Sequence, residues 1–270
     1  MMKKIIRAFI LLFVLAFIYA PILILAVYSF TNATQIGAIR SFSFHNYVTL
    51  FTTEELISMI IGTIILALVS ALLSTLLGTM GAIGSFYSGK KMSSFIRSTN
   101  QIPVVNADVV TGFSICILLV IVLGVSKETY IPLVIGHVTL CAPFVFLSVM
   151  PKLMQLDPSI YEAALDLGAT PFVALFKIVI PQISSGIISG FALAVTLSLD
   201  DYFIATYTKP STFDTISTYV VNATKGAQTR IKTALWALST VIFLIVVLTV
   251  LISNLRAIRN DSREKKGVAV

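Results

Sequence analysis

The segment DPSIYEAALDLGATPFVALFKIVIP, residues 157–181, separates two long apolar stretches of the chain and carries three acidic residues. Asp157 is a residue type that caps helices, and Pro158 suits a first helical turn. Gly168 is well placed to end the helix that they begin. The segment therefore predicts a short polar helix that lies outside the apolar part of the fold.

The chain as a whole has the composition of a membrane protein. Of its 270 residues, 57% are hydrophobic and 11% are charged, whereas a soluble domain has about 25% charged residues. The net charge of +7 comes from short clusters of bases between apolar stretches, a pattern typical of membrane topology and not of a nucleic-acid-binding face. Cys116 and Cys141 lie inside apolar stretches and are interpreted as small buried side chains, so no metal site or disulfide is predicted.

Six stretches are long and apolar enough to cross about 30 Å of hydrocarbon, which takes roughly 20 residues per helix. They are residues 8–27, 56–86, 104–125, 131–153, 178–199 and 233–253. The first is interpreted as a retained span and not as a signal peptide, because its apolar run is long for a signal and Pro21 follows Ala20. We therefore expect one all-α integral membrane domain over residues 1–270.

The distribution of Lys and Arg predicts the orientation of these spans. With the N-terminus inside the cell, most of the 19 bases lie in the inner segments. The positive-inside rule then places both termini in the cytoplasm. The segment 157–181 falls on the same side of the membrane.

The polar segment itself is predicted to form two short helices. Four residues at helical spacing are expected to share one apolar face: Ile160, Ala163, Ala164 and Leu167. Pro171 should open a second helix that runs to about residue 176. A helix that lies on a membrane usually carries bases on its polar face, but here that face carries Glu162 and Asp166. Docking into a groove of another protein is therefore favoured over binding to lipid.

The sequence EAALDLGATPFVALFKIVIP resembles the EAA loop of ABC-importer permeases, in which Glu-Ala-Ala is followed by three residues, Gly, nine residues and Ile-x-Leu-Pro. The matching residues are Glu162, Ala163, Ala164, Gly168, Ile178 and Pro181, with Ile180 where leucine is usual. The resemblance implies a type I importer permease, with six spans and a coupling helix between the fourth and fifth that seats in a separate ATPase. The chain lacks a Gly-x-x-x-x-Gly-Lys-[Ser/Thr] loop, so ATP and Mg²⁺ are expected on that partner and no cofactor is expected in this chain.

Other segments resemble the permeases of spermidine/putrescine importers, of the PotC type. They include HVTLCAPFVFLSVMPKLMQLDPSIYEAALDLGAT and ISGFALAVTLSLDDYFIATY, and the motifs NADVVTG and LSLDD separate this group from sugar or amino-acid permeases. Gly62 departs from the asparagine that many relatives have. The resemblance implies a polyamine substrate, a second homologous permease, two copies of an ATPase and an extracytoplasmic binding protein.

A pathway for a linear polyamine needs carboxylates near apolar or aromatic surface, because each ammonium needs a countercharge when water is removed. Asp200 and Asp201, followed by Tyr202 and Phe203, meet this requirement at the outer end of the fifth span. An ordinary interfacial cap of acids and aromatic residues is the alternative. Asp108, in the inner part of the third span, is open to either a pathway role or a capping role.

The fifth span also carries a stripe of small residues. Its members are Ser184, Ser185, Gly186, Ser189 and Gly190. Small-xxx-small spacing lets two helices approach closely. The stripe predicts an interior helix that packs against a partner helix or lines the pathway.

Two other functions remain open at this point. One is a permease for another small solute in the same superfamily. The other is an ion-driven secondary transporter or channel that uses Asp108, Asp200 and Asp201 for coupling, which would not depend on an ATPase. A membrane enzyme is disfavoured because the sequence offers no metal-ligand set or nucleophile–base pair. His137, in the fourth span, is expected to be a hydrogen-bonded packing residue and not a proton relay.

Overall fold

The computed structural model describes residues 2–33, 41–225, 233–244 and 247–248. These residues are helical or connect helices, and the only extended pairing among them is one isolated antiparallel bridge between Thr31 and Phe42. The predicted all-α class is confirmed. Part of the sixth predicted span, residues 245–246 and 249–253, lies outside the described residues.

The helices differ widely in length, and only some of them can cross a membrane. They are α1 (Met2–Ser29), α2 (His45–Thr52), α3 (Glu54–Tyr87), α4 (Lys90–Val105), α5 (Asp108–Cys116), α6 (Ile131–Met154), α7 (Pro158–Asp166), α8 (Pro171–Ala174), α9 (Ile180–Asp200), α10 (Phe203–Thr208), α11 (Ile216–Lys225) and α12 (Thr233–Leu244). In the described part of the chain, four helical stretches are long and apolar enough to span, or five if a bent pair counts as one. The six predicted spans stay a prediction.

The bent pair lies in the third predicted span. α4 and α5 meet at an angle of 105°, because Asn106 and Ala107 between them have extended backbone angles. A π-helical segment, Ile117–Val122, continues α5. The third apolar stretch is therefore straight only from Asp108 onwards, and not from residue 104 as predicted.

The fifth predicted span also begins differently from the expectation. The second helix of the polar segment does not end near residue 176. α8 continues through a π-helical turn, Leu175–Val179, into α9, which gives one stretch of 30 residues, Pro171–Asp200. A proline clashes with the preceding turn of a regular α-helix, and the wider π turn just before Pro181 makes room for its ring.

The chain divides into two compact units, Met1–Ile57 with Val220–Val270, and Ser58–Tyr219. In the first unit, α2 is tied to the end of α1 by the buried Asn46 side chain, whose amide donates to the carbonyl oxygens of Ser29 and Thr31. The ring of Tyr28 packs edge-on against Trp236 of α12 at a centroid distance of 5.7 Å. Both hydrogens of the Asn46 side-chain amide are therefore bonded at the end of α1.

The core of the second unit is the packing of α6 against α9. Gly186 and Gly190 lie on the contact face of α9, and a methyl group on Gly190 would approach Val145 of α6 to 3.1 Å. Val145, Val149 and Ile183 are fully buried there. The close helix packing predicted from the small-residue stripe is confirmed for Gly186 and Gly190, whose partner is α6, whereas Ser184, Ser185 and Ser189 are exposed.

Candidate functional site

The polar segment has the ends that its sequence predicts. Asp157 accepts a hydrogen bond of 2.9 Å from the Ser159 backbone N–H at the start of α7. This bond lowers the pKa of the Asp157 carboxyl, because it favours the charged form. Gly168 follows the helix with φ at +84°, a left-handed conformation that an L residue with a side chain rarely adopts. α7 is therefore a separate short helix with defined limits.

The side chains of α7 differ in how deeply they are buried. Ala164 is buried and faces the fold, whereas Glu162 and Ala163 are exposed. Leu167 is 89% exposed, because it lies just beyond the last helical turn. The apolar face predicted for Ile160, Ala163, Ala164 and Leu167 is therefore divided: Ala164 packs inward, whereas Ala163 and Leu167 are exposed and open to a partner.

Two aromatic rings join α7 to the end of α3. The ring of Tyr161 lies 4.9 Å from that of Tyr87, centroid to centroid. A small cavity beside them is lined by residues of α3, α7 and the π-helical turn, among them Phe86, Ile160, Ile178 and Val179. Pro181 lies exposed one turn further on, in the first turn of α9. A force on α7 would therefore reach both α3 and α9.

At the far end of α9, the chain turns into α10 through a buried carboxylate. Asp201 is 8% exposed. Its Oδ1 accepts from the Ile204 backbone N–H at 3.2 Å, and its Oδ2 accepts from that of Ala205 at 2.8 Å. These are two of the N–H groups that the first turn of a helix leaves without partners. Asp201 thus caps α10.

Two exposed carboxylates lie close enough to Asp201 to interact with it electrostatically. Asp200 is the last residue of α9, and Asp108 is the first residue of α5. The sequence assigned Asp108 to the inner part of the membrane and Asp200 to the outer end, so this proximity was not predicted. It arises because α5 begins only after the bend at residues 106–107.

α10 is fixed between α5 and α6 by two glycines. A methyl group on Gly112 of α5 would lie 2.9 Å from the Cα of Ile204, and one on Gly136 of α6 would lie 2.6 Å from the Cγ2 of the same residue. Contacts this short do not occur between real side chains and their neighbours, so both positions need glycine while α10 stays in place. Ile204 and Thr208 are fully buried there.

Two pairs of aromatic side chains lie on α5, on α10 and at the residue before α10. The rings of Tyr202 and Phe203 pack edge-on at 5.3 Å, and those of Phe113 and Tyr207 do so at 5.8 Å. Phe203 is 45% exposed and Phe113 is 52% exposed. The structure thus combines two exposed acids, one buried acid and accessible aromatic surface in one region of the second unit.

Residues 74–261 match the family model described as the inner membrane component of binding-protein-dependent transport systems. The chain belongs to this family. The putrescine transport system permease protein PotI of Escherichia coli strain K12 is 32% identical over 210 residues, which cover 74% of this chain and 73% of the relative. The spermidine/putrescine transport system permease protein PotC of Haemophilus influenzae is 27% identical over 92% of this chain and 95% of the relative.

Solved structures agree on the fold. A chain of a bacterial alginate ABC transporter, in complex with an alginate-bound periplasmic protein, matches with a TM-score of 0.68 over 92% of each chain, at 20% sequence identity. That identity shows the fold alone. Together with the family, it makes this chain a permease subunit of an ABC importer, a multi-pass protein of the cell membrane. Its partners are an ATPase, a second permease and a binding protein, and the ATPase activity lies in the separate subunit.

The loop after α10 packs against α3 at a glycine. The ring of Phe213, in the loop after α10, packs against Gly62 of α3, where a methyl group would lie 2.5 Å from Cε2. Asparagine at position 62 could not coexist with this ring position. The same loop is held by Glu128, which accepts from the hydroxyl and the N–H of Ser211, and these bonds lower the pKa of the Glu128 carboxyl.

Sequence reasoning missed α10 and the contact that His137 makes with the acid at its start. His137 is fully buried and lies 2.7 Å, Nδ1 to Oγ, from Ser198, so the predicted hydrogen-bonded role is confirmed. Its contact with the acid that caps α10 was not predicted. The available signals were Gly112 and Gly136, which stand in apolar spans where glycine needs a packing reason.

Proposed function

We propose that this permease forms, with the second permease, the pathway of a polyamine importer that is driven by two copies of the ATPase. The observation that carries the proposal is the convergence of Asp108, Asp200 and Asp201 beside Tyr202 and Phe203. The names of the relatives, putrescine and spermidine/putrescine permeases, support the same class of substrate.

The roles of the three acids follow from their exposure. Asp108 and Asp200 are exposed and would each pair with an ammonium group of the substrate. Asp201 is buried and engaged by two backbone N–H groups, so it would add negative potential and hold α10 without a direct contact. Tyr202 and Phe203 would pack along the methylene chain and attract an ammonium through their ring faces.

The coupling part of the proposal rests on α7. Glu162, Ala163 and Gly168 are exposed and would meet the cleft of the ATPase, whereas the buried Ala164 would anchor the helix to the permease. Movement would pass through the Tyr161–Tyr87 contact to α3, and through Ile178 and Pro181 to α9. With α7 on the ATPase side, both termini of the chain lie in the cytoplasm.

The test is uptake by the whole complex in liposomes, with putrescine and spermidine as separate labelled substrates. We expect ATP-dependent uptake of at least one of them, and we expect Asp200→Asn and Asp108→Asn each to reduce it by roughly tenfold, since a charged group that loses its partner costs on the order of 1–3 kcal/mol. Glu55→Gln is the matched control, because Glu55 is an exposed acid at the start of α3. Uptake that stays unchanged at limiting substrate in both variants would remove these acids from the pathway.

A further inference from the structure

A buried histidine links α6 and α9 to the carboxylate that caps α10. His137 has no exposed surface. Its Nδ1 lies 2.7 Å from the hydroxyl of Ser198 on α9. Within the described residues its Nε2 has no hydrogen-bond partner, and it lies 3.6 Å from Oδ2 of Asp201. This last distance is too long for a hydrogen bond, so the contact is an electrostatic one between a ring N–H and a carboxylate.

The two neighbours select one tautomer of the ring. A neutral imidazole has one N–H and one lone pair. If Nδ1 held the proton, the lone pair on Nε2 would face the Asp201 carboxylate in a buried setting and would be repelled by it. With the proton on Nε2, the Ser198 hydroxyl donates to Nδ1 and the ring N–H is directed at the carboxylate. The hydroxyl of Ser198 therefore orients His137 toward Asp201.

We propose that His137 is a positioning residue of the transport pathway. It holds the Asp201 carboxylate in the orientation that caps α10, and it thereby sets the place of Tyr202, Phe203 and the rest of α10 beside Asp200. This inference rests on the proposed function only in taking α10 as part of the pathway.

The electrostatics around Asp201 give the reason for such support. A buried carboxylate is destabilised by loss of hydration, and here the nearby carboxylates of Asp108 and Asp200 also repel it. The N–H groups of Ile204 and Ala205 offset part of this cost. The His137 N–H approaches from the opposite element, α6, and so holds the carboxylate between α6 and α10. Its removal would leave the carboxylate held only by the N–H groups of α10.

Two substitutions distinguish the role of Nε2 from the role of Nδ1 in the His137 ring. In His137→Gln, the side-chain amide can place an N–H near the position of Nε2, which preserves the donor toward Asp201. In His137→Asn, the shorter amide reaches only the position of Nδ1, which preserves the contact with Ser198. Both remove the ring, so a role in packing alone predicts that the two variants behave alike.

The readout is polyamine moved per ATP hydrolysed by the reconstituted complex, normalised to the amount of assembled complex. We expect His137→Gln to stay within about twofold of the parent and His137→Asn to fall by roughly tenfold, because only the glutamine keeps an N–H directed at the buried carboxylate. The half-saturating substrate concentration should stay the same in both, because the change affects passage and not capture by the binding protein. Equal losses in both variants, or a loss that follows the yield of complex, would overturn the positioning role.

A double-mutant cycle provides a second measurement that needs no substrate. The melting temperatures of the purified complex are compared for His137→Asn, Asp201→Asn and the double variant. If His137 acts through Asp201, the double variant melts close to Asp201→Asn alone, because the two changes remove one shared interaction. Additive shifts would overturn the inference. A parent complex that takes up no polyamine would instead overturn the proposed function, and the cycle would still decide this one.

Discussion

At the scale of single residues, the sequence predicts those features that depend only on near neighbours. Asp157 and Gly168 end α7 as expected, because capping and left-handed backbone are properties of a few consecutive residues. The burial of Asp201 and its proximity to His137 could not be predicted. They depend on how α6 packs against α9 and α10, and His137 on α6 is 61 residues from Ser198 on α9.

Gly168 allows a test of backbone conformation in the coupling segment. Among the described residues, no atom lies within 4 Å of the position where the Cβ of residue 168 would stand, so within this chain a substitution changes only the backbone preference. We expect Gly168→Ala to reduce the coupling of ATP hydrolysis to uptake, because alanine at φ +84° costs about 1–2 kcal/mol. Gly168→Asn should be milder, since asparagine enters the left-handed region more readily.

The measurement is the ratio of uptake to ATP hydrolysis in liposomes, with the amount of assembled complex determined for each variant. If the asparagine variant is as impaired as the alanine variant, the defect comes from the size of the side chain at the ATPase and not from backbone strain.

At the scale of elements, hydropathy predicts which stretches are apolar but not where they bend. The third stretch is predicted as one span because residues 104–125 are predominantly apolar, yet the break at Asn106 separates α4 from α5. α10 was not predicted, because its six residues are too few to show a periodic pattern. The stripe of Gly186 and Gly190 was informative because small residues at that spacing report close packing wherever the partner helix lies.

The placement of α10 can be tested through the glycine on α6. We expect Gly136→Ala to lower the stability of the complex by about 1–3 kcal/mol, the usual cost of overpacking, because the new methyl group would overlap the Cγ2 of Ile204. Gly84→Ala in α3 is the control. In the part of the chain that the structure describes, its Cβ would meet nothing within 4 Å, and alanine is the better helix former by up to about 1 kcal/mol.

Thermal unfolding of the detergent-purified complex measures the stability of both variants. Substrate uptake by the same variants shows whether a displaced α10 also impairs transport. If the Gly136→Ala complex has the melting temperature of the parent and transports normally, α10 is not held against α6 in the working protein.

At the scale of the whole molecule, composition alone places the chain in a membrane, and the EAA loop places it among importer permeases. The comparisons confirm both conclusions. The division into two compact units has no counterpart in the composition, because both units are built from the same apolar residue types. Asp108, Asp200 and Asp201 were each identified in the sequence. Their proximity depends on the bend between α4 and α5, which the sequence did not predict.

The orientation of the chain in the membrane can be tested with one introduced cysteine on each side of a single span. Gln155, between α6 and α7, and Thr212, in the loop after α10, are both exposed. Between them lies the 30-residue stretch Pro171–Asp200, which at 1.5 Å per residue is roughly 45 Å long and exceeds the hydrocarbon thickness of about 30 Å. The two positions should therefore face opposite sides of the membrane, with Gln155 inside according to the distribution of bases.

In intact cells, a membrane-impermeant maleimide should label Thr212→Cys, and it should label Gln155→Cys only after permeabilisation. The parent chain measures the background from Cys116 and Cys141, of which the latter is fully buried. The reverse pattern would invert the proposed topology and would place α7 out of reach of a cytoplasmic ATPase. Labelling of both positions from one side would mean that α9 does not cross the membrane, because a continuous helix of this length has its ends on opposite sides once it spans.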